Sequence, residues 1–245
     1  MVDLQSLIRR QQWDEIKARL EVYPHEAGES LTGIVTRGGF VATDGCTPLH
    51  YAVERRPPVE VVEALMTAWP EAVTTRMQPG GALPLHVACT WHASASVVSI
   101  LCQREPMACR APDELGNVPL HHAAFSGAMV PVVDVLLRTF PKAVLARNLQ
   151  GSLPADICKR LRHENRKNIL VLLTTHKELV VQHSRSLSNG AMGMIAQQAM
   201  DLNLANYVPP MSPRLAPITS IGEDKSHESG VEVQVDASGD EMIWI

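Results

Sequence analysis

The 245 residues carry a net charge of −4, with 45% hydrophobic residues but only 4% aromatics. That is enough for an ordinary buried core, yet with so few rings burial must come from many Leu, Val, Ile and Ala contacts, which suits helical repeats better than a sandwich or barrel. The charge is uneven: residues 1–180 hold 19 Lys and Arg against 18 Asp and Glu, and residues 181–245 hold 3 against 8. A near-neutral body lacks the broad positive field of a non-specific nucleic-acid binder.

No run of 18 apolar residues suggests a membrane span, and MVDLQSLIRRQQ lacks the apolar core of a signal peptide. The expectation is a cytoplasmic or nuclear protein with no membrane contact. The five cysteines, Cys46, Cys89, Cys102, Cys109 and Cys158, form no CxxC pair and match no zinc spacing. They are expected to be reduced and buried.

In chain order, VDLQSLIRRQQWDEIKARLEVYP predicts a helix from Asp3, a break near Gln11 and Gln12, and a second helix that ends at Pro24. From Pro24 to the next comparable proline, Pro70, is 46 residues, about ten more than later units need. The excess lies in AGESLTGIVTRGGFVATDG, an insertion over residues 28–45 that reads as a candidate functional loop.

A repeat follows. GCTPLHYAV, GALPLHVAC, GNVPLHHAA and GSLPADICK align on Pro48, Pro84, Pro119 and Pro154, which are 36, 35 and 35 residues apart. Proline is favoured at the first helical position, because its missing N–H is not needed there, and Gly-X before it allows a tight turn. Eleven residues after the first motif histidine of each copy comes Val61-Val62, Val97-Val98 or Val132-Val133, on a second helix. In VEVVEALMTAW the spacing of Val59, Val62, Leu65, Met66 and Trp69 predicts one buried stripe. A second set of prolines, Pro70, Pro106 and Pro141, stops that helix and opens an extended return. A helix pair of this size cannot bury both faces alone, so the units must stack.

The pattern resembles the ankyrin repeat, whose core is G-x-TPLHxAA followed by V-V-x-L-L; GCTPLHYAV matches it most closely. The resemblance covers residues 41–176, with a period about two residues longer than usual and with Leu83, Val118 and Leu153 in place of the motif threonine kept at Thr47. The LPLHxAC form is similar to arrays found in diatoms and related algae. The resemblance implies an all-α solenoid of stacked helix-turn-helix units with short fingers. Residues 1–40 would be an N-terminal cap with its loop insertion, and residues 41–176 the repeats with a C-terminal cap. Residues 177–245 would be a largely disordered acidic tail with a short helix possible over 192–207.

It also implies a scaffold role for Pro48, His50, Pro84, His86, Pro119, His121, Pro154 and Asp156. The histidines recur once per unit, ~10 Å apart in a stack, too far to converge on a metal ion, and in the family they bridge backbone groups of adjacent units. His122 replaces Tyr51, Val87 and Ile157 of the other copies and is expected to pack partly buried; His92, at the turn between helices, is expected to be exposed. No G-x-S-x-G elbow and no G-K-[ST] phosphate loop occurs.

These features favour a non-catalytic protein-binding module without a cofactor, monomeric on its own. The resemblance places recognition on the concave side, where finger tips and the ends of the first helices supply Asp44, Glu54, Arg55, Thr90, Trp91, Glu114, Leu115, Asn117, Phe125, Ser126, Gln150 and Arg160. Trp91, Phe125 and Arg55 are of types that anchor interfaces. The basic run KRLRHENRK faces a tail whose last 23 residues hold 7 acids and 1 lysine, so the tail could return to the cap or make a second contact. Two alternatives stay open: an adaptor or inhibitor subunit bringing a client to an enzyme complex, and a metal- or thiol-dependent enzyme.

Overall fold

A computed structural model describes residues 3–31, 41, 44–162 and 164–201, with side chains as far as residue 186. Much of the 28–45 insertion, the tail beyond Asp201 and the end of the possible 192–207 helix lie outside the described residues. The chain divides into two units, Met1–Ser184 and Arg185–Ile245.

The first unit is a stack of helix pairs. Helices α1 (Leu4–Arg10) and α2 (Trp13–Val22) come first. Asp3 caps α1 by accepting the Ser6 amide, and Gln11 ends it in the left-handed region at φ 58°. Three internal pairs follow: α3 (Pro48–Val53) with α4 (Val59–Ala68), α5 (Pro84–Thr90) with α6 (Ala95–Arg104), and α7 (Pro119–Ser126) with α8 (Val130–Thr139). Then come α9 (Pro154–Arg160) and α10 (Arg166–Asp201).

Every first helix of an internal pair starts on its motif proline. The second prolines do more than stop a helix, since each begins a turn of 3-10 helix: Pro70–Val73, Pro106–Arg110 and Pro141–Leu145, with Pro24–Gly28 as the first-unit equivalent. α10 is also longer than the sequence suggests. It runs past the expected limit at residue 176, so residues 177–201, assigned above to the tail, are helical.

The core is the seam between pairs. Val61, Val62, Leu65 and Met66 are buried, as are Val97, Val98, Leu101 and Cys102, and Val132, Val133, Leu136 and Leu137. The stripe expected in α4 is corrected here: Val59 is half-buried and Trp69 is 39% exposed. A helix flanked by its own first helix and by second helices on both sides buries a wider arc than a lone amphipathic helix. Val61 therefore enters the core, while Trp69, past the last turn, lies at the rim with its ring against Gly28.

The motif histidines join the pairs. The amide of the residue before each motif proline donates to histidine Nδ1: Thr47 to His50 at 3.2 Å, Leu83 to His86 at 3.1 Å and Val118 to His121 at 3.1 Å. The Thr47 hydroxyl lies 3.0 Å from the same nitrogen of His50; Leu83 and Val118 have no hydroxyl, and there the backbone bond serves alone. The opposite nitrogen, Nε2, carries the proton and donates to a carbonyl of the following loop. His50 reaches Ala82 at 3.2 Å, His86 reaches Ala111 and Asn117 at 3.1 Å each, and His121 reaches Ser152 at 3.1 Å. In the last unit the Asp156 carboxylate takes the Leu153 amide at 3.2 Å. An acceptor-only side chain suffices where, among the described residues, no further repeat offers a carbonyl.

Fingers pair through single backbone bonds between units. The Gln78 amide donates to Asp44 at 2.7 Å, Glu114 to Gly80 at 3.0 Å and Leu149 to Leu115 at 2.9 Å. Close approach requires glycine at Gly116, where φ is 77° and a Cβ would lie 2.9 Å from the Leu149 nitrogen. The described ends of the insertion are tied together: the Leu31 amide donates to the Cys46 carbonyl at 2.7 Å, and the Ser30 hydroxyl to the Asp44 carboxylate at 3.1 Å.

Replacing His86 by leucine leaves the buried Leu83 amide and the Ala111 carbonyl without their partner, while the Asn117 carbonyl keeps only the Asp113 amide. Urea unfolding is expected to show a loss of about 2–4 kcal/mol; a loss below about 0.5 kcal/mol, the range of neutral surface changes, contradicts the bridging role. The same bridges predict acid sensitivity. Burial pushes His50 down to about 4 and His86 to about 3, the bonds to loop carbonyls offsetting part of this, and burial lowers His121 as well. All three lie below the unfolded value of about 6.5, so their stabilisation is complete above that pH and falls as acid protonates the unfolded chain first. Urea midpoints should drop between about pH 6.5 and pH 5, a window above ordinary carboxylate titration. A flat profile there would mean the rings are not held neutral.

Candidate functional site

The candidate contact residues lie where chain geometry alternates side chains between interior and surface. At the third finger, Asp113 Oδ1 accepts the amides of Leu115 at 2.9 Å and Asn117 at 2.7 Å, folding the segment into an Asx-type turn. This throws Glu114 and Leu115 outward, both exposed, and draws Asn117 in. At the fourth finger Asn148 occupies the equivalent place: its Oδ1 accepts the amides of Gln150 at 3.1 Å and Ser152 at 2.9 Å, and its Nδ2 donates to Asn117 Oδ1 at 2.9 Å. Leu149 and Gln150 project from that turn, Leu149 with 78% of its surface exposed.

Two of the twelve expected contact residues are therefore corrected. Asn117 is buried, held by Asn148 and by its own bond to Asp113. Glu54 is only 2% exposed and pairs with Arg55 at 2.8 Å. Arg55 itself is half-buried; its guanidinium lies 3.6 Å from the Tyr51 ring centroid and donates to the Tyr51 carbonyl at 3.2 Å. Stacking and ion pairing within one helix end leave that arginine little freedom to reach outward.

Thr90, Trp91 and Ser126 are half-buried. The Ser126 hydroxyl donates to the Cys89 carbonyl at 2.9 Å, and Trp91 packs on the core while its carbonyl accepts the Arg56 guanidinium at 2.9 Å. Asp44, Glu114, Leu115, Phe125, Gln150 and Arg160 are exposed. Asp44 spends Oδ1 on Ser30 and on its neighbour's amide, and Arg160 donates to the Ser152 hydroxyl at 3.3 Å. His92 is half-buried at φ 58°, in the left-handed position that Arg56 fills one unit earlier and Gly127 one unit later. The expectation of an exposed ring there is corrected, since His92 is half-buried although Arg56 in the same conformation is exposed.

One polar cluster was not anticipated as a unit. His122 is buried with Nε2 2.9 Å from Asp113 Oδ2 and Nδ1 2.9 Å from the Thr90 hydroxyl, and its ring meets that of His86 edge-on at 5.1 Å. Burial alone would raise the Asp113 carboxyl, but the bond from His122 and those from the Asn117 backbone and side-chain amides outweigh it and hold the group below the ordinary value. The combination of carboxylate, imidazole and hydroxyl has the composition of a nucleophilic relay. The hydroxyl, however, also lies 3.0 Å from the His86 carbonyl, so its one proton serves two acceptors in the scaffold. The cluster ties the third finger to α7 and α5. The histidine in a position apolar in the other copies was the visible signal; its partner Asp113, nine residues upstream, carried none.

Among the described residues no three His, Cys, Asp or Glu side chains come together as a metal site, and no helix is long and apolar enough to cross a membrane. All five cysteines are free and buried.

The family model for the ankyrin repeat matches residues 44–74, the unit that opens with GCTPLHYAV. No curated protein matches the chain. The same proline start, valine pair, 3-10 turn and histidine bridge recur in the units beginning at Pro84 and Pro119. Residues 44–74 are thus an ankyrin repeat, and the two units that follow share its architecture.

Proposed function

We propose that this protein is a non-catalytic binding module that holds a protein partner along its finger tips and first-helix ends. Ankyrin repeats in general mediate protein–protein interaction and are typically not catalytic. The observation that carries the finer reading is the pair of exposed leucines at neighbouring tips, Leu115 at 37% and Leu149 at 78%, held in register by the Leu149–Leu115 backbone bond. Apolar side chains presented on bonded turns offer contact area with little ordering cost on association.

Phe125, 39% exposed at the end of α7, supplies an aromatic anchor of the kind interfaces use, with Glu114, Gln150, Asp44 and Arg160 as a polar rim. Trp91, Thr90, Arg55 and Ser126 support this edge from within, and Glu54 and Asn117 leave the contact set. The module acts as a monomer, and the acidic residues 223–245 serve as a regulatory or second contact.

Proximity labelling in the native cell tests this with three forms: the full chain, Leu115→Asp with Leu149→Asp, and a chain ending at Asp201. The double substitution should cut labelling of the main partner by on the order of tenfold with an unchanged urea midpoint. Truncation should remove a different subset. An unchanged labelled set in the double variant would place recognition elsewhere.

A further inference from the structure

Each internal unit packs the last turn of its second helix on the 3-10 turn that follows. In the α4 unit the buried pair is Met66 and Val73, and in the α8 unit it is Leu137 and Val144. The α6 unit alone has two thiols at these positions, Cys102 and Cys109, with Sγ atoms 3.1 Å apart. Ordinary apolar contacts close at about 3.5–4.0 Å, so the sulfurs are nearer than such a contact. About 1 Å of further approach brings them within bonding reach.

We propose that Cys102 and Cys109 form a redox-modification site, closed by hydrogen peroxide to an intramolecular disulfide that staples α6 to the turn Pro106–Arg110. Exposed Thr139 lies beside both buried thiols. The hydrogen bond between the sulfurs holds Cys109 below the ordinary thiol range and pushes Cys102 up. Burial pushes the other thiols the opposite way: Cys46 up to about 12, and Cys89 and Cys158 upward.

The chemistry balances. The Cys109 thiolate attacks one peroxide oxygen, forming a sulfenic acid and releasing hydroxide, which takes a proton to become water. The Cys102 sulfur then attacks the sulfenic sulfur, its proton leaving with the expelled hydroxide as a second water. Two thiols lose two electrons and two protons, and one peroxide becomes two waters. The stapled turn leads directly into the third finger, where Asp113 and Leu115 sit, so the site lies next to the proposed contact edge without depending on it.

Peptide mapping of the full chain tests the proposal. The protein is treated with hydrogen peroxide, alkylated and digested with trypsin without reductant. Cleavage at Arg76, Arg104 and Arg110 separates the peptide 77–104 from the peptide 105–110, so a Cys102–Cys109 bond appears as these two joined, lost again on reduction. It should be on the order of tenfold more abundant than any other cysteine pairing, as expected for reactants held in contact.

Because Cys89 shares the first peptide, Cys89→Ala must keep the joined product, whereas Cys102→Leu and Cys109→Val must lose it. Each replacement is the residue found at the equivalent position of the α7–α8 unit. Persistence of the joined peptide in Cys102→Leu assigns the bond to Cys89 and overturns the proposal. So does peroxide-treated wild-type protein in which both thiols remain alkylatable or carry only sulfinic or sulfonic acid.

Discussion

The histidine bridge is the constraint on which the rest of the array depends. A neutral imidazole accepts from the amide at the start of its own helix on one side and donates to the following loop on the other. Protonation of Nδ1 breaks the first bond and loss of the Nε2 proton breaks the second, so the ring makes both only while neutral. The second partner belongs to the next unit, hence no internal unit satisfies its own backbone, and the stack is the smallest complete structure. Asp156 marks the limit of that rule, because its unit must cap its helix but has no successor among the described residues.

The loops that receive these bonds also carry the fingers. Ala82, Ala111 with Asn117, and Ser152 accept the histidines within a few residues of the tips. Scaffold and the proposed recognition edge are thereby interleaved within two residues: Leu115 faces out, Asn117 faces in, and the turn made by Asp113 sets both. The α5–α7 boundary adds a polar tie of its own, Thr90–His122–Asp113, where other units use apolar contacts or an aromatic ring. Change at the tips is compatible with the fold; change two residues away reaches the bridges.

Much of the fold is legible in the chain. Pro48, Pro84 and Pro119 mark helix starts because proline's fixed φ and missing amide suit that position and few others. The valine pairs place the second helices. Less of the candidate site is legible. Glu54 and Asn117 belong to types normally found outside, and their burial follows from partners that local pattern does not reveal: Arg55 folded back over Tyr51, and Asn148 one unit on. Trp69 fits the apolar period of α4 yet sits beyond the seam. α10 outruns its expected end because the repeat pattern stops near residue 176 without a helix breaker.

The number of internal units, their period and the start of each helix rest on local steric rules for proline, glycine and apolar spacing, so they are determined residue by residue along the chain. Which polar groups are scaffold and which are free, and which two of five cysteines meet, is decided by tertiary contacts. Asn117 meets Asn148 and His86 meets Asn117 across 31 residues; Cys102 meets Cys109 only because the turn at Pro106 folds back. Stacking and turn geometry create those neighbours, and no property of the individual residues contains them.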